Sequence, residues 1–85
     1  MIVEERIENS VKLPETGYAT LEYELLKAEN GLSWGLRCRM PMTGEEACAE
    51  DVTTDGNEAR RIFLLMANGT VTPVTFFDVI YDLLP

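Results

Sequence analysis

Residues 19–40 have the sequence ATLEYELLKAENGLSWGLRCRM, and this stretch decides the fold. Two runs of alternating apolar and polar residues flank the dipeptide Asn30-Gly31. Asn-Gly is typical of a tight hairpin turn, because a type I′ turn needs positive φ at both central positions. The stretch therefore predicts two antiparallel strands joined by a two-residue turn.

A turn centred between Asn30 and Gly31 fixes which residues of the two strands face each other. On one face, the register places apolar residues opposite one another: Leu21 and Met40, Tyr23 and Cys38, Leu25 and Leu36. Trp34 lies on the same face, opposite Lys27. On the other face, the register makes pairs of opposite charge: Glu22 with Arg39, and Glu24 with Arg37. One register thus gives an apolar face and a charged face, which is typical of a half-buried antiparallel sheet.

Further strands are predicted on both sides of this hairpin. Apolar residues alternate loosely over residues 2–13, so that residues 1–17 contain a first strand or an extended arm. This segment ends in the turn sequence LPETG at residues 13–17. The turn sequence PMTG at residues 41–44 precedes a more polar strand over residues 45–52. We expect that strand at a sheet edge, where Glu45 and Glu46 oppose pairing with other chains.

Two helices are predicted after the strands. Asp55, followed three residues later by Glu58, is typical of a helix start, and Asn68-Gly69 of a helix end. Apolar residues recur at helical spacing between them: Ala59, Ile62, Leu65 and Met66. Thr72-Pro73 predicts the start of the second helix, with a core-facing stripe of Val74, Phe77, Ile80, Tyr81 and Leu84. We expect an α+β fold in a single small domain, residues 1–85: an antiparallel sheet of three or four strands, then a two-helix hairpin packed on one face.

The composition argues against an enzyme. The chain has 85 residues, a formal net charge of −8 and no histidine. Without histidine, neither a Ser-His-Asp nor a Cys-His arrangement can form, and the commonest metal ligand is missing. We therefore expect no catalytic residue and no cofactor. Cys38 and Cys48 lack the C-x-x-C spacing of redox motifs, and we interpret them as two small buried residues rather than a disulfide.

The same charge argues against binding to nucleic acid. Seven basic residues are scattered along the chain, and the second helix has none, whereas a DNA-reading helix needs basic or polar side chains. The sequence contains no apolar run of about 18 residues, so no membrane-spanning segment is expected. The acidic N-terminus is unlike a signal peptide. We expect a cytoplasmic, acidic protein.

Three residues widen the apolar stripe of the second helix beyond one face: Phe76, Val79 and Leu83. They either pack against the sheet and the first helix together, or form a contact with a protein partner or a second copy of the chain. The acidic residues are candidate ligands of a divalent cation, although a solvated surface is the preferred interpretation. They are Glu45, Glu46, Glu50, Asp51, Asp55, Asp78 and Asp82.

Several short motifs between residues 18 and 84 resemble a family of small uncharacterised proteins from Clostridia-type Firmicutes. They are SWGLRC at 33–38, DVTT at 51–54, LLMAN at 64–68, VTP at 71–73 and FDVI at 77–80. Thr72 stands where serine is common in that family, and Phe77 where leucine is common. The resemblance implies an intracellular bacterial protein and supplies no catalytic residue.

These observations lead to one principal hypothesis about function. We expect a non-catalytic intracellular module that acts in regulation or in protein–protein interaction. The alternative is a domain that binds a small ligand or a divalent metal. A third hypothesis is an acidic mimic of nucleic acid that blocks a basic site on a partner.

Overall fold

The structure, a computed structural model, describes residues 1–15 and 17–84. Its elements are β1 Ile2–Leu13, β2 Gly17–Lys27, β3 Trp34–Met40, β4 Glu45–Thr53, α1 Gly56–Asn68 and α2 Phe76–Leu83. This order confirms the predicted α+β class, with an antiparallel sheet followed by two helices. The turn predicted over residues 13–17 includes Thr16, which lies outside the described residues.

The four strands form one sheet in the order β1-β2-β3-β4, and each neighbouring pair is antiparallel. β1 pairs with β2 from Ile2, opposite Lys27, to Leu13, opposite Gly17. Because its backbone is paired along almost its whole length, the N-terminal segment is a strand and not an extended arm. β1 and β4 form the two edges of this sheet.

The predicted register of the central hairpin is confirmed. Glu22 pairs with Arg39, and the ladder continues without a shift to Lys27 opposite Trp34. Both faces are as expected: the side that carries Tyr23 is buried, and the other side carries the charged pairs. The alternation of residue types was sufficient to fix this register because a slip of one residue would expose every apolar side chain.

The turn of this hairpin is longer than predicted. The N–H of Ala28 donates to the carbonyl of Ser33 at 2.9 Å, and the N–H of Gly31 donates to the carbonyl of Ala28 at 2.8 Å. Of the Asn-Gly pair only Gly31 has positive φ, at +75°. The Asn30 side chain instead accepts a hydrogen bond from the N–H of Leu32 at 2.9 Å. The register is unchanged because the longer loop has the same centre as the two-residue turn.

Both helices cover the same face of the sheet and share one core with it. The side chain of Asn9 on β1 donates to the carbonyl of Ala67 at the end of α1, at 2.9 Å. Full burial of a large apolar side chain contributes about 1.5–3 kcal/mol relative to exposure. The largest fully buried side chains come from strands and helices alike: Leu21, Tyr23, Leu36, Cys38, Ile62, Phe63, Met66 and Phe76.

The start of α1 is as predicted, and its end differs in detail. The Asp55 carboxylate accepts hydrogen bonds from the N–H groups of Asn57 and Glu58, which have no partner within the helix. Gly69 follows the helix as expected, but its φ is −85°. The positive φ that often ends a helix belongs to Thr70, at +51°.

α2 begins three residues later than predicted. Residues 72–75 form a turn in which the N–H of Thr75 donates to the carbonyl of Thr72 at 3.1 Å. The first helical residue is therefore Phe76, with Thr75 at the N-cap. The prediction of a helix start at Thr72-Pro73 is wrong because proline after threonine is equally compatible with a turn.

Neither α1 nor α2, the helices of the described residues, has the length and apolar character that a membrane-spanning helix needs.

Trp34 connects the central hairpin to the start of α1. The Nζ of Lys27 lies 5.1 Å from the centroid of the indole ring, on the strand pair predicted from the sequence. A Cβ atom at Gly56 would lie 2.9 Å from two carbon atoms of the same ring. Glycine at the first helical position therefore allows the helix backbone to approach the indole.

Candidate functional site

The three residues predicted as a candidate partner surface lie on the core side of α2. Phe76 is fully buried, and Val79 and Leu83 are partly buried and pack against the core. Phe76 and Ile80 are four residues apart and so lie on the same side of the helix, which faces the sheet. Of the two alternatives stated for these residues, a core position and a partner surface, this burial favours the core position.

The large apolar side chains that α2 exposes are Phe77 and Tyr81. Phe77 is 45% exposed and Tyr81 is 71% exposed, and their spacing of four residues places them in one stripe. Val74, in the turn before the helix, is 78% exposed. The stripe predicted to face the core includes all three, and for these residues that prediction is wrong. Since α2 is apolar on two sides, periodicity alone did not indicate which side the sheet covers.

A groove with a cavity volume of about 310 Å³ lies between the end of β4 and α2. We call it the β4–α2 groove and define it by its lining residues: Ala49, Glu50, Asp51, Val52, Phe77, Ile80, Tyr81 and Leu84. Its floor includes the buried Ile80, and its helix wall carries the exposed stripe. The groove is thus mainly apolar on the helix side and acidic on the strand side.

The pairing of β4 with β3 is irregular at the position of the groove. The pairing of β3 with β4 shifts register between Leu36, opposite Ala49, and Trp34, opposite Thr53. In the inserted segment Asp51 has a φ of +54°, which is unusual for a residue other than glycine. The hydroxyl of Ser33 donates to the Asp51 carboxylate at 2.5 Å. Bulges of this kind bend a strand, and no feature of the sequence predicted this one.

The charges around the groove are mainly acidic, and the guanidinium of Arg61, which pairs with Glu58, donates to the carbonyl of Leu83 at the end of α2. Glu50 and Asp51 line the groove, and Asp78 and Asp82 are exposed on α2. The sequence has no lysine or arginine between residues 40 and 59 or between residues 62 and 85. Clustered charges of one sign attract ligands of the opposite sign. This region of the surface therefore favours a basic ligand over an acidic one.

The sheet face away from the helices carries a network of ion pairs. The predicted pairs are present: Arg37 Nε contacts the carboxylate of Glu24, and Arg39 contacts that of Glu22 at 3.1 Å. Glu24 is only 5% exposed. Arg6 of β1 adds a contact of 2.6 Å with Glu22. These charges are compensated within the sheet, so the network is a structural feature rather than a free binding surface.

The hydrogen bond from Arg6 is the main reason why the pKa of Glu22 lies below its ordinary value. A second hydrogen bond, from Arg39, acts in the same direction. The arginine at position 6 has its own pKa raised by the same contact with Glu22. The carboxylate of Glu22 is therefore held in its charged form by two guanidinium groups from two different strands.

The two cysteines are free and lie on opposite faces of the sheet. Cys38 is buried on the helix side, opposite Ala47, whereas Cys48 is exposed on the other side, opposite Arg37. The prediction of burial is therefore confirmed for Cys38 and wrong for Cys48. Burial raises the pKa of the Cys38 thiol to about 11. The pKa of Cys48 is also raised, mainly by partial burial of its sulfur.

The acidic residues that were weighed as metal ligands do not converge. Among residues 1–15 and 17–84, no group of three or more His, Cys, Asp or Glu side chains is placed to hold a metal ion. Cation sites of the calcium or magnesium type need several oxygen ligands around one point. The geometry therefore adds no support to the metal-binding alternative.

Fold and site together define the class of the protein, a small α+β domain with an acidic groove between an edge strand and its last helix. The model of a family described as "Family of unknown function (DUF6514)" matches residues 3–85, and the chain belongs to this family. The match confirms the resemblance to uncharacterised proteins and extends it to β1. Comparison with curated proteins and with solved structures finds no match.

Proposed function

We propose that the protein is a non-catalytic interaction module that binds another protein through the β4–α2 groove. The observation that carries the proposal is the exposure of Phe77 and Tyr81 beside a groove that has room for a side chain. Aromatic side chains are enriched in the buried centres of protein interfaces. Burying this pair against a partner would remove both rings from water.

The groups that line the groove favour binding over catalysis. Within residues 1–15 and 17–84, the titratable residues that line it are Glu50, Asp51 and Tyr81. The chain has no histidine to act as a general base near neutral pH. Small-molecule sites usually have volumes of about 300–1,000 Å³, so the groove is at the lower end of that range. A segment of a protein, which also contacts the rim, suits it better.

The proposal also includes a cellular setting. The motifs between residues 18 and 84 resemble proteins of Clostridia-type Firmicutes. We propose on this basis that the protein acts in the cytoplasm of a bacterium of that group, as a regulatory or adaptor protein.

The test is a comparison of three tagged proteins as bait in cell extract. They are the wild type, the groove variant Phe77→Ser with Tyr81→Ser, and the control Val74→Ser. Val74 is the most exposed apolar side chain near α2 but does not line the groove. We expect a partner that the wild type and the control retain equally and that the groove variant loses.

The partner identified in this way is then purified and titrated against the same three proteins by calorimetry. Truncation of an aromatic residue at an interface centre costs about 2 kcal/mol or more, so affinity should fall at least tenfold for the groove variant. Thermal unfolding of the three proteins checks that they are equally folded. Equal affinity of the wild type and the groove variant for every retained protein would contradict the proposal.

A further inference from the structure

The outer edge of β4 runs into the β4–α2 groove. β4 is the last strand of the sheet, and within the described residues it pairs on one side only, with β3. The strand Glu45–Thr53 leads directly to the groove residues 49–52. The unpaired N–H and C=O groups of an edge strand are a template for another strand. An extended segment that pairs with β4 would therefore pass the groove.

The two faces of β4 differ in chemistry. Ala47 and Ala49 lie on the helix side, opposite the buried Cys38 and Leu36. Glu46 and Cys48 alternate with them and lie on the other side of the sheet, opposite Arg39 and Arg37, and Glu50 follows at the rim of the groove. A segment added to this edge would place every second side chain beside small apolar residues and the others beside carboxylates.

The charge of the edge selects its occupant. β4 contains Glu45, Glu46, Glu50 and Asp51 and no basic residue. An antiparallel pair of two β4 strands would bring Glu45 and Glu46 of one copy close to Glu50 and Asp51 of the other. Like charges opposite each other destabilise a sheet, so a second copy is disfavoured. Arg37 already contacts Glu46 at 3.6 Å, whereas Glu50 forms no ion pair among the described residues. A segment with lysine or arginine beside Glu50 is therefore favoured.

We propose that the partner segment binds as a fifth strand on β4, with apolar residues alternating with lysine or arginine. Its apolar side chains contact Phe77 and Tyr81 in the groove, and a basic side chain contacts Glu50. In this mode, main-chain hydrogen bonds supply affinity and the alternate side chains supply specificity. The inference rests on the proposed function, since it names the chemistry of the partner that the groove receives.

The experiment uses the full chain and four synthetic peptides of eight residues. In the first, valine or phenylalanine alternates with lysine. The second has the same residues rearranged into an apolar block and a lysine block, and the third has glutamate in place of lysine. The fourth is the first peptide with N-methyl groups on alternate amides, on the edge that would face β4. Affinities are measured by fluorescence polarisation, and the binding site is mapped by amide NMR shifts.

We expect the alternating lysine peptide to bind at least tenfold more tightly than each of the other three. The amide NMR shifts that this peptide causes in the protein should map to residues 45–50 and to the neighbourhood of Phe77 and Tyr81. Glu50→Lys should weaken its binding about threefold to tenfold, because a rim charge is reversed. The matched control is Glu29→Lys, in the exposed loop of the central hairpin, which should have no effect.

Two outcomes would overturn the fifth-strand mode. The first is equal binding of the block peptide, which cannot place apolar and basic side chains on alternate faces, or of the N-methylated peptide, which lacks the N–H donors on the edge that faces β4. The second is a dimer in analytical ultracentrifugation that blocks the peptide, because β4 would then pair with a second copy.

If the groove variant Phe77→Ser with Tyr81→Ser still loses its cellular partner, the proposed function stands and only the mode of binding fails. If the peptide binds this variant unchanged, edge pairing stands and the groove is not the site.

Discussion

At the scale of single residues, the carbonyl of Val71, in the segment after α1, accepts from two side chains of the central hairpin. The Tyr23 hydroxyl donates to it at 2.7 Å, and the Cys38 thiol lies 3.3 Å from it. Both side chains are fully buried in the central hairpin. Burial also raises the pKa of Tyr23, which further favours the protonated phenol that donates this bond. The segment after α1 is thereby held against the middle of the sheet.

Replacing Tyr23 by phenylalanine should lower the free energy of unfolding by about 1 kcal/mol, the net contribution of one hydrogen bond. Combining Tyr23→Phe with Cys38→Ala should cost more than the sum of the single changes. Only the double variant leaves the Val71 carbonyl without either donor. Urea unfolding measures all three. Tyr18→Phe is the control, since Tyr18 is 68% exposed, and equal effects at positions 18 and 23 would refute the role of this bond.

At the scale of elements, the sequence was most informative where two independent constraints agreed. The register of the central hairpin was predictable because apolar pairs such as Tyr23–Cys38 and charged pairs such as Glu24–Arg37 required the same alignment. For α2, the start signal and the apolar pattern each allowed two solutions. Thr72-Pro73 suited a helix start or a turn, and the helix is apolar on two sides. Packing against the sheet, which is a tertiary effect, decided both where α2 begins and which of its sides is buried.

The start of α1 gives a test at this scale, because one side chain caps it. Asp55→Ala removes the acceptor of the Asn57 and Glu58 N–H groups and should destabilise the protein by about 1 kcal/mol. Asp55→Asn keeps a side-chain oxygen in the same position and should cost much less. Thermal and urea unfolding distinguish the two. Equal losses for both variants would indicate that the charge matters here, through the helix dipole, more than the hydrogen bond.

At the scale of the whole molecule, the ion-pair network joins three strands that are distant in sequence. Arg6 on β1 and Arg39 on β3 both contact Glu22 on β2, between them. The position of Arg6 was not predicted because the sequence left open whether residues 1–17 join the sheet. The groove was not predicted for a related reason: it requires the positive φ of Asp51 and the docking of α2 at the same place.

This network predicts how stability depends on pH. The pKa of Glu22 is lower in the folded protein than in the unfolded chain, so the folded state binds fewer protons. Its contribution is complete above the ordinary glutamate pKa of about 4.3 and is lost as the pH falls below that value. Glu22→Gln should therefore reduce the decrease in unfolding free energy on acidification. Glu29→Gln is the control, and an identical acid profile for both variants would contradict the assignment.

The placement of the two cysteines on opposite faces has a consequence for kinetics. Cys48 is exposed, whereas Cys38 is buried and its pKa is about 11. An alkylating reagent therefore reaches the Cys38 thiol only when the sheet and the helices separate. The rate of modification at Cys48 thus measures the reactivity of the reagent with an accessible thiol, and the rate at Cys38 measures the opening of the core. A single labelling time course on the unaltered chain would report how often the domain unfolds under native conditions.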